Sequence, residues 1–140
     1  MTTAHATRSP TLRGSCLCGA VRFEIRGPLG AMSHCHCAMC RKAHGAAFGT
    51  YARVQRSDFA LLSGETSIRS FRSSPTVTRT FCGRCGSTLQ WIIDDRPDAL
   101  DIAIGTLDDD PGVRPSLHIF TASKAPWFEI TDALPQRAER

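Results

Sequence analysis

Seven cysteines lie in three short groups along the 140-residue chain, and none of them stands alone. The groups are Cys16 and Cys18, then Cys35, Cys37 and Cys40, then Cys82 and Cys85. The sulfurs around one tetrahedral zinc ion lie within about 4 Å of one another, which closely spaced cysteines can achieve. The spacing therefore predicts that these thiols are zinc ligands.

Two of the groups are pairs, which together supply the four thiolates of a closed zinc site. Residues i and i+2 of an extended segment point to the same side, so Cys16 and Cys18 can reach one ion. Cys82 and Cys85 form a Cys-x-x-Cys turn, and Gly86 eases the wrapping of the backbone around sulfur. Four thiolates leave no position free, and such closed sites are structural.

The middle group supplies three thiolates within six residues, which predicts a second zinc site. Three protein ligands and one exchangeable position are the arrangement of a catalytic zinc. Alternatively, a nearby histidine closes a second structural site, and the histidines within reach are His34, His36 and His44. Other pairings of the seven thiols and an iron–sulfur cluster stay open, because sequence does not fix connectivity.

Three thiolates carry three negative charges, which exceed the two positive charges of zinc. An ion held in this way is a weaker Lewis acid than one held by three neutral histidines. A thiol that completes the coordination would lose its proton and could attack a small carbonyl compound. The predicted chemistry is the addition of a thiol to a small carbonyl compound, and its reverse. Arg41 and Lys42 either attract an anionic thiol or are solvated surface residues, and no catalytic side chain is singled out.

The positions of His36 and His118 can be interpreted from their neighbours. His36 lies between two predicted ligands, and in an extended segment its side chain would point away from their ion. His118 lies within an apolar run, which is typical of a core histidine with a hydrogen-bond partner. Trp91 and Trp127 are predicted to be core residues, one of which could line a pocket.

The composition points to a reducing compartment. Residues 1–10 lack the apolar run of a signal peptide, and no stretch approaches the ~18 apolar residues of a membrane span. Seven is odd, so a full set of internal disulfides is excluded. We therefore predict a cytoplasmic protein with reduced thiols. The net charge of +4 is dispersed along the chain, which does not favour nucleic acid as a partner.

Short segments in which apolar and polar residues alternate predict a mainly β fold. Alternation over 21–25 and 48–54 indicates strands, 59–62 and 66–71 suggest a hairpin, and 35–45 indicate a loop or a short helix. The prediction is one compact domain of short antiparallel strands organised around the structural zinc site. Its bounds are 14–135, with a frayed N-terminal tail over 1–13 and a C-terminal tail over 136–140.

A resemblance to a known family is carried by residues 14–23, 35–42, 81–87, 105–109, 118–120, 123–127 and 134–135. They resemble the glutathione-dependent formaldehyde-activating enzyme family. The resemblance implies an antiparallel fold built around zinc, with Cys16, Cys18, Cys82 and Cys85 on a structural ion and Cys35, Cys37 and Cys40 on a catalytic ion. It also implies carbon–sulfur lyase chemistry that joins glutathione to formaldehyde.

Two other classes of protein use paired cysteines. A zinc-stabilised binding module for a protein or nucleic-acid partner would have no catalysis, and tight, salt-sensitive nucleic-acid binding would favour it. A thiol-based redox or metal-handling protein could use Cys82 and Cys85, although no β-α-β pattern surrounds them. The oligomeric state is not predicted.

Overall fold

The computed structural model describes residues 10–140, which form ten short strands and one α-helix. The strands are β1 Leu12–Ser15, β2 Arg22–Ile25, β3 Met32–Cys35, β4 Gly49–Gln55, β5 Phe59–Ser63, β6 Ile68–Ser74, β7 Val77–Cys82, β8 Thr88–Ile93, β9 Ala99–Ala103 and β10 Leu117–Ile119. The helix, α1, covers Ala38–His44. None of the helices in the described part of the chain is long and apolar enough to cross a membrane. The predicted mainly β, single-domain fold is confirmed.

The strands form two sheets. The smaller sheet has the order β1-β2-β5, and the larger has the order β10-β3-β4-β9-β8-β7-β6. Neighbouring strands are antiparallel except β10 and β3, which run parallel. The larger sheet contains β3 and β4 as neighbours and also β7, which is distant from them in sequence.

The predicted hairpin between 59–62 and 66–71 is wrong, because the two strands belong to different sheets. β5 pairs with β2, whereas β6 pairs with β7. Phe59 of β5 stacks on Phe23 at a ring-centroid distance of 5.2 Å, so the apolar face of β5 is used against β2. Gly64, with φ of +88°, turns the chain from one sheet to the other.

The main hydrophobic core lies between the two sheets. Its buried members are Leu12, Phe23, Ile25, Val54, Leu100 and Ile102. The alternation predicted for β2 is confirmed, since Phe23 and Ile25 are buried while Arg22 is exposed. Each large apolar side chain buried in this way stabilises the fold by about 1.5–3 kcal/mol. This core fixes the strand ends from which the cysteine groups project.

Both ends of the predicted domain differ from the structure. β1 begins at Leu12, which is buried and pairs with Ile25, so the ordered part starts before residue 14. A strand with a single apolar residue gives too little alternation to be recognised, and residues 1–9 lie outside the described residues. The predicted tail 136–140 runs beside β10, where the backbone N–H of Arg137 donates to His118 O at 2.9 Å.

Candidate metal centres

The two cysteine pairs, which are more than 60 residues apart in the sequence, meet in one cluster. Cys16 follows β1, Cys82 ends β7, and Cys18 and Cys85 lie in the adjoining turns. The four sulfurs lie within 4.8 Å of one another, with 3.6 Å between Cys16 and Cys18 and 3.9 Å between Cys18 and Cys82. A tetrahedral zinc with Zn–S bonds of ~2.3 Å holds its sulfurs ~3.8 Å apart, so the donor set fits zinc.

Local hydrogen bonds favour the thiolate form of Cys16 and Cys85 in this four-cysteine cluster. The backbone N–H of Val21 donates to Cys16 Sγ at 3.2 Å. Ser87 Oγ lies 3.3 Å from Cys85 Sγ, and hydrogen bonds from Ser87 lower the pKa of Cys85 to about 5. The turn that allows this has Gly86 at φ of +84°, a conformation that other residues rarely adopt. The turn between β7 and β8 is therefore shaped around sulfur.

The middle group forms a second cluster, in which the sulfurs of Cys35, Cys37 and Cys40 lie within 4.8 Å of one another. Cys35 ends β3, and Cys37 is the N-cap of α1, where its sulfur accepts the backbone N–H of Cys40 at 3.3 Å. The helix ends at Gly45, whose φ of +60° is left-handed. The segment predicted as a loop or short helix is thus a two-turn helix that presents thiols at its start.

Mutual repulsion opposes three anionic sulfurs at such short distances. A hydrogen bond with Cys35 lowers the pKa of Cys37 to about 2, and the same contact raises the pKa of Cys35. Without a bound cation, the cluster therefore carries fewer than three negative charges. A divalent ion that prefers sulfur would stabilise all three thiolates, so this donor set also fits zinc.

The histidines considered as a fourth ligand have other partners. His34 Nδ1 lies 2.8 Å from Thr50 Oγ1, and His36 Nε2 lies 2.8 Å from His118 Nδ1. Among residues 10–140, the group of possible metal ligands at this site consists of the three cysteines and contains no histidine. As predicted, His36 is directed at His118 and not at the cysteines. His118 is buried and has a hydrogen-bond partner, which also agrees with its prediction. Closure of the site by a histidine is not favoured.

A buried cation beside the three-cysteine cluster was not identified from the sequence. Arg79 of β7 is 6% exposed, and its Nη2 donates to Cys40 Sγ at 3.5 Å. Its Nη1 donates to Tyr51 Oη at 3.3 Å, and its Nε donates to Ser73 Oγ at 3.1 Å. The sequence does contain a signal for it: Arg79 comes two residues after Val77, so both side chains lie on the same, buried face of the strand.

A tyrosine and a histidine extend this polar group away from the sulfurs. Tyr51 Oη lies 2.8 Å from His44 Nε2. Burial raises the pKa of Tyr51, which keeps its proton at neutral pH. Burial and the charge of Arg79 lower the pKa of His44, which is neutral at the same pH. Tyr51 can therefore donate to His44 while it accepts a hydrogen bond from Arg79.

A cavity of about 170 Å³ reaches the three-cysteine cluster, and its lining includes Cys35, Cys37, Cys40, Tyr51, Arg79 and Trp91. It adjoins a wider cleft of about 640 Å³ that shares Ser33, Tyr51, Asp101, Ile119 and Arg140 with it.

Trp91 lines the cavity, whereas Trp127 is 69% exposed, so the core prediction for Trp127 is wrong. Arg41 and Lys42 are not among the lining residues. A small molecule can thus approach these three sulfurs.

Comparison with known proteins assigns the chain to a family. The family model of the glutathione-dependent formaldehyde-activating enzyme matches residues 11–123, which contain both cysteine clusters and the cavity residues of β4, β7 and β8. The chain belongs to this formaldehyde-activating enzyme family. The resemblance found in the sequence is therefore confirmed, and the chain is an enzyme of that family.

Relatives of this chain include a protein of Halomonas elongata whose name assigns it to the same family. It is 34% identical over 129 residues, which cover 85% of this chain and 80% of the relative. A protein of Schizosaccharomyces pombe named as an uncharacterised lyase is 26% identical over 122 residues, covering 67% and 87%. The crystal structure of a Rhodobacter sphaeroides protein has a TM-score of 0.59 and 25% identity, and covers 74% of this chain and 91% of that one.

The geometry of the four-cysteine cluster also bears on the redox interpretation of Cys82 and Cys85. Cys82 is fully buried, and its sulfur lies 3.9 Å from Cys18 in the four-cysteine cluster. A redox pair needs an accessible thiolate. Cys82 is inaccessible and has other thiols as neighbours, so a metal-ligand role is favoured over a redox role.

Proposed function

We propose that this enzyme adds a thiol such as glutathione to formaldehyde at the three-cysteine cluster, and catalyses the reverse reaction. The observation that carries the proposal is a cavity lined by three thiols, one buried guanidinium and one tyrosine hydroxyl. The family name supports the two substrates. The product, S-hydroxymethylglutathione, contains a new C–S bond, which makes the enzyme a carbon–sulfur lyase in the reverse direction.

Two zinc ions per chain would have different roles. Cys16, Cys18, Cys82 and Cys85 would hold a structural ion, and Cys35, Cys37 and Cys40 would hold a catalytic ion. When bound at the three cysteines, zinc lowers the pKa of a thiol that completes its coordination and so supplies a thiolate nucleophile. Location in the cytoplasm, where thiols stay reduced, belongs to the same proposal.

Arg79 compensates charge in this mechanism. Three thiolates exceed the charge of a divalent ion by one negative charge, and the guanidinium of Arg79 supplies one positive charge beside Cys40. Because Arg79 is buried, little water screens this interaction. The guanidinium also holds Tyr51 in place at the cavity wall.

Tyr51 and His44 provide a path for the proton that must move. In the reaction the S–H bond and the C=O π bond break, while C–S and O–H bonds form. Neutral His44 can take up the thiol proton through the Tyr51 hydroxyl, since Nε2 and Oη lie 2.8 Å apart. The same path can return the proton to the oxygen of the adduct, which keeps the proton count balanced.

Exchange spectroscopy with ¹³C-formaldehyde and glutathione tests the proposed activity, because the adduct also forms slowly without a catalyst. We expect the zinc-loaded protein to accelerate exchange between formaldehyde hydrate and S-hydroxymethylglutathione in proportion to its concentration. Exchange that is equal with and without the protein would refute the activity.

Replacing Arg79 by methionine is expected to lower the rate of adduct formation by roughly 100-fold, a typical cost for losing a preorganised charged donor. It also removes the partner of Cys40 and Tyr51, so weaker retention of one zinc ion is expected. The rate and the zinc content of the purified variant are the measurements. Arg72→Met on β6 is the matched control, because Arg72 pairs with Asp94 at the surface. Equal effects of the two substitutions would argue against a special role for Arg79.

A further inference from the structure

Residues 136–140 lie beyond the match to the family model, and they contribute Arg140 to the wall of the three-cysteine cavity and Arg137 to the wall of the adjoining cleft. Gln136 bridges to His118, the N–H of Arg137 donates to His118 O at 2.9 Å, and Glu139 O accepts the N–H of Phe120 at 2.9 Å. The segment therefore lies beside β10, held by an isolated β-bridge and by backbone hydrogen bonds. A wall held in this way is formed before a ligand binds, which reduces the cost of ordering it.

Two arginine side chains project from this segment toward ligand-sized space. The guanidinium carbon of Arg140 lies 5.5 Å from the ring centroid of Trp91, a cation–π arrangement at the cavity wall. Arg140 lines both the cavity and the wider cleft, and Arg137 lines the cleft. The cleft volume of about 640 Å³ falls within the range of small-molecule sites, roughly 300–1,000 Å³. It is far larger than formaldehyde requires.

The other arginines of the cavity system already have partners. Arg53 forms an ion pair with Asp101 at 3.0 Å, and Arg79 donates to Cys40 and Tyr51. Among the residues that the structure describes, the ion pairs include neither Arg137 nor Arg140. A guanidinium binds a carboxylate through two parallel hydrogen bonds, so these two side chains suit carboxylate ligands.

We propose that Arg137 and Arg140 bind the carboxylates of the thiol substrate, so that the enzyme selects anionic peptide thiols over neutral thiols. The proposal rests on the proposed function for the role of the thiol group, but carboxylate binding itself requires no reaction. Glutathione has a carboxylate at each end, which suits two cations that line adjoining parts of one cavity system. Charge-based binding of this kind weakens as salt concentration rises.

S-Methylglutathione separates carboxylate binding from zinc chemistry, because its sulfur is blocked while its carboxylates remain. Isothermal titration with the zinc-loaded full chain would compare the wild type with Arg137→Ala, Arg140→Ala and the double variant. We expect each single substitution to weaken binding about tenfold, the usual scale for a hydrogen-bonded charged pair. Arg114→Ala, which removes a surface partner of Asp110, is the control and should bind like the wild type. The diethyl ester of S-methylglutathione should bind the wild type as weakly as the diacid binds the double variant.

The outcomes distinguish this proposal from the proposed function. Arginine-dependent binding of S-methylglutathione supports the anchoring even if no adduct formation is catalysed. Equal affinity of the wild type and the double variant for S-methylglutathione overturns the anchoring, and so does an absence of binding to the wild type. Both of these results are possible while glutathione and formaldehyde still react at the three cysteines.

Discussion

Replacing Cys82 by serine is expected to prevent the chain from folding. Cys82 is fully buried at the end of β7 and packs with Cys16, Val21 and Leu89. Structural zinc sites contribute about 10–16 kcal/mol to folding in small domains. The net stability of a typical domain is only about 5–15 kcal/mol. The core alone therefore cannot offset the loss of the four-cysteine site. Circular dichroism in the near-ultraviolet and the zinc content of the variant are the measurements.

The matched control for this site is Ser87→Ala. Ser87 lies beside Cys85 and accepts the N–H of Leu17, but it is not a predicted ligand. Its loss should cost about 1 kcal/mol, the scale of one hydrogen bond, and should leave the zinc content unchanged. A folded Cys82→Ser variant that retains the wild-type zinc content would show that the four-cysteine cluster is not a structural metal site.

Replacing Cys37 by serine is expected to leave the fold intact, to remove one zinc ion and to reduce adduct formation to the uncatalysed rate. Serine is a good N-cap, so its oxygen can accept the N–H of Cys40 in place of the sulfur and α1 should persist. Loss of a residue that supports a metal ligand already costs about 10–100-fold, so loss of a ligand should cost at least 100-fold in activity. Zinc analysis, thermal unfolding and the ¹³C exchange rate are the three measurements.

Met39→Leu provides the comparison for Cys37→Ser. Met39 lies in the same helix, is 47% exposed and lines the cavity, but it carries no proposed ligand atom. It should keep both zinc ions and most of the activity. A Cys37→Ser variant that is as active as Met39→Leu would show that the three-cysteine cluster is not the reactive centre.

The grouping of the cysteines could be predicted because it depends on local spacing. Cys35, Cys37 and Cys40 are close in sequence, and the two pairs need only one long-range contact to meet. The β class could also be predicted, since Phe23 and Ile25 reveal a strand with one buried face. These features depend on neighbours within a few residues, which is the range over which sequence periodicity gives information.

The surroundings of the three cysteines could not be predicted from the sequence. Arg79 is 39 residues from Cys40 and reaches it only because the larger sheet brings β7 near the start of α1. The wrong hairpin has the same origin, since local turn signals do not reveal which strand becomes the partner of β5. The C-terminal segment gave no apolar pattern, because it is held through backbone hydrogen bonds that are independent of side-chain type.

Cobalt(II) substitution tests most directly whether the seven cysteines form two separate sites, of which only one accepts a thiol. Thiolate-bound cobalt absorbs visible light, and its spectrum changes with the ligand set. We expect two equivalents of cobalt per chain, a spectral change on adding glutathione, and in Cys37→Ser a single equivalent that does not respond. Saturation at one cobalt per chain, or a wild-type spectrum that glutathione leaves unchanged, would contradict the proposal.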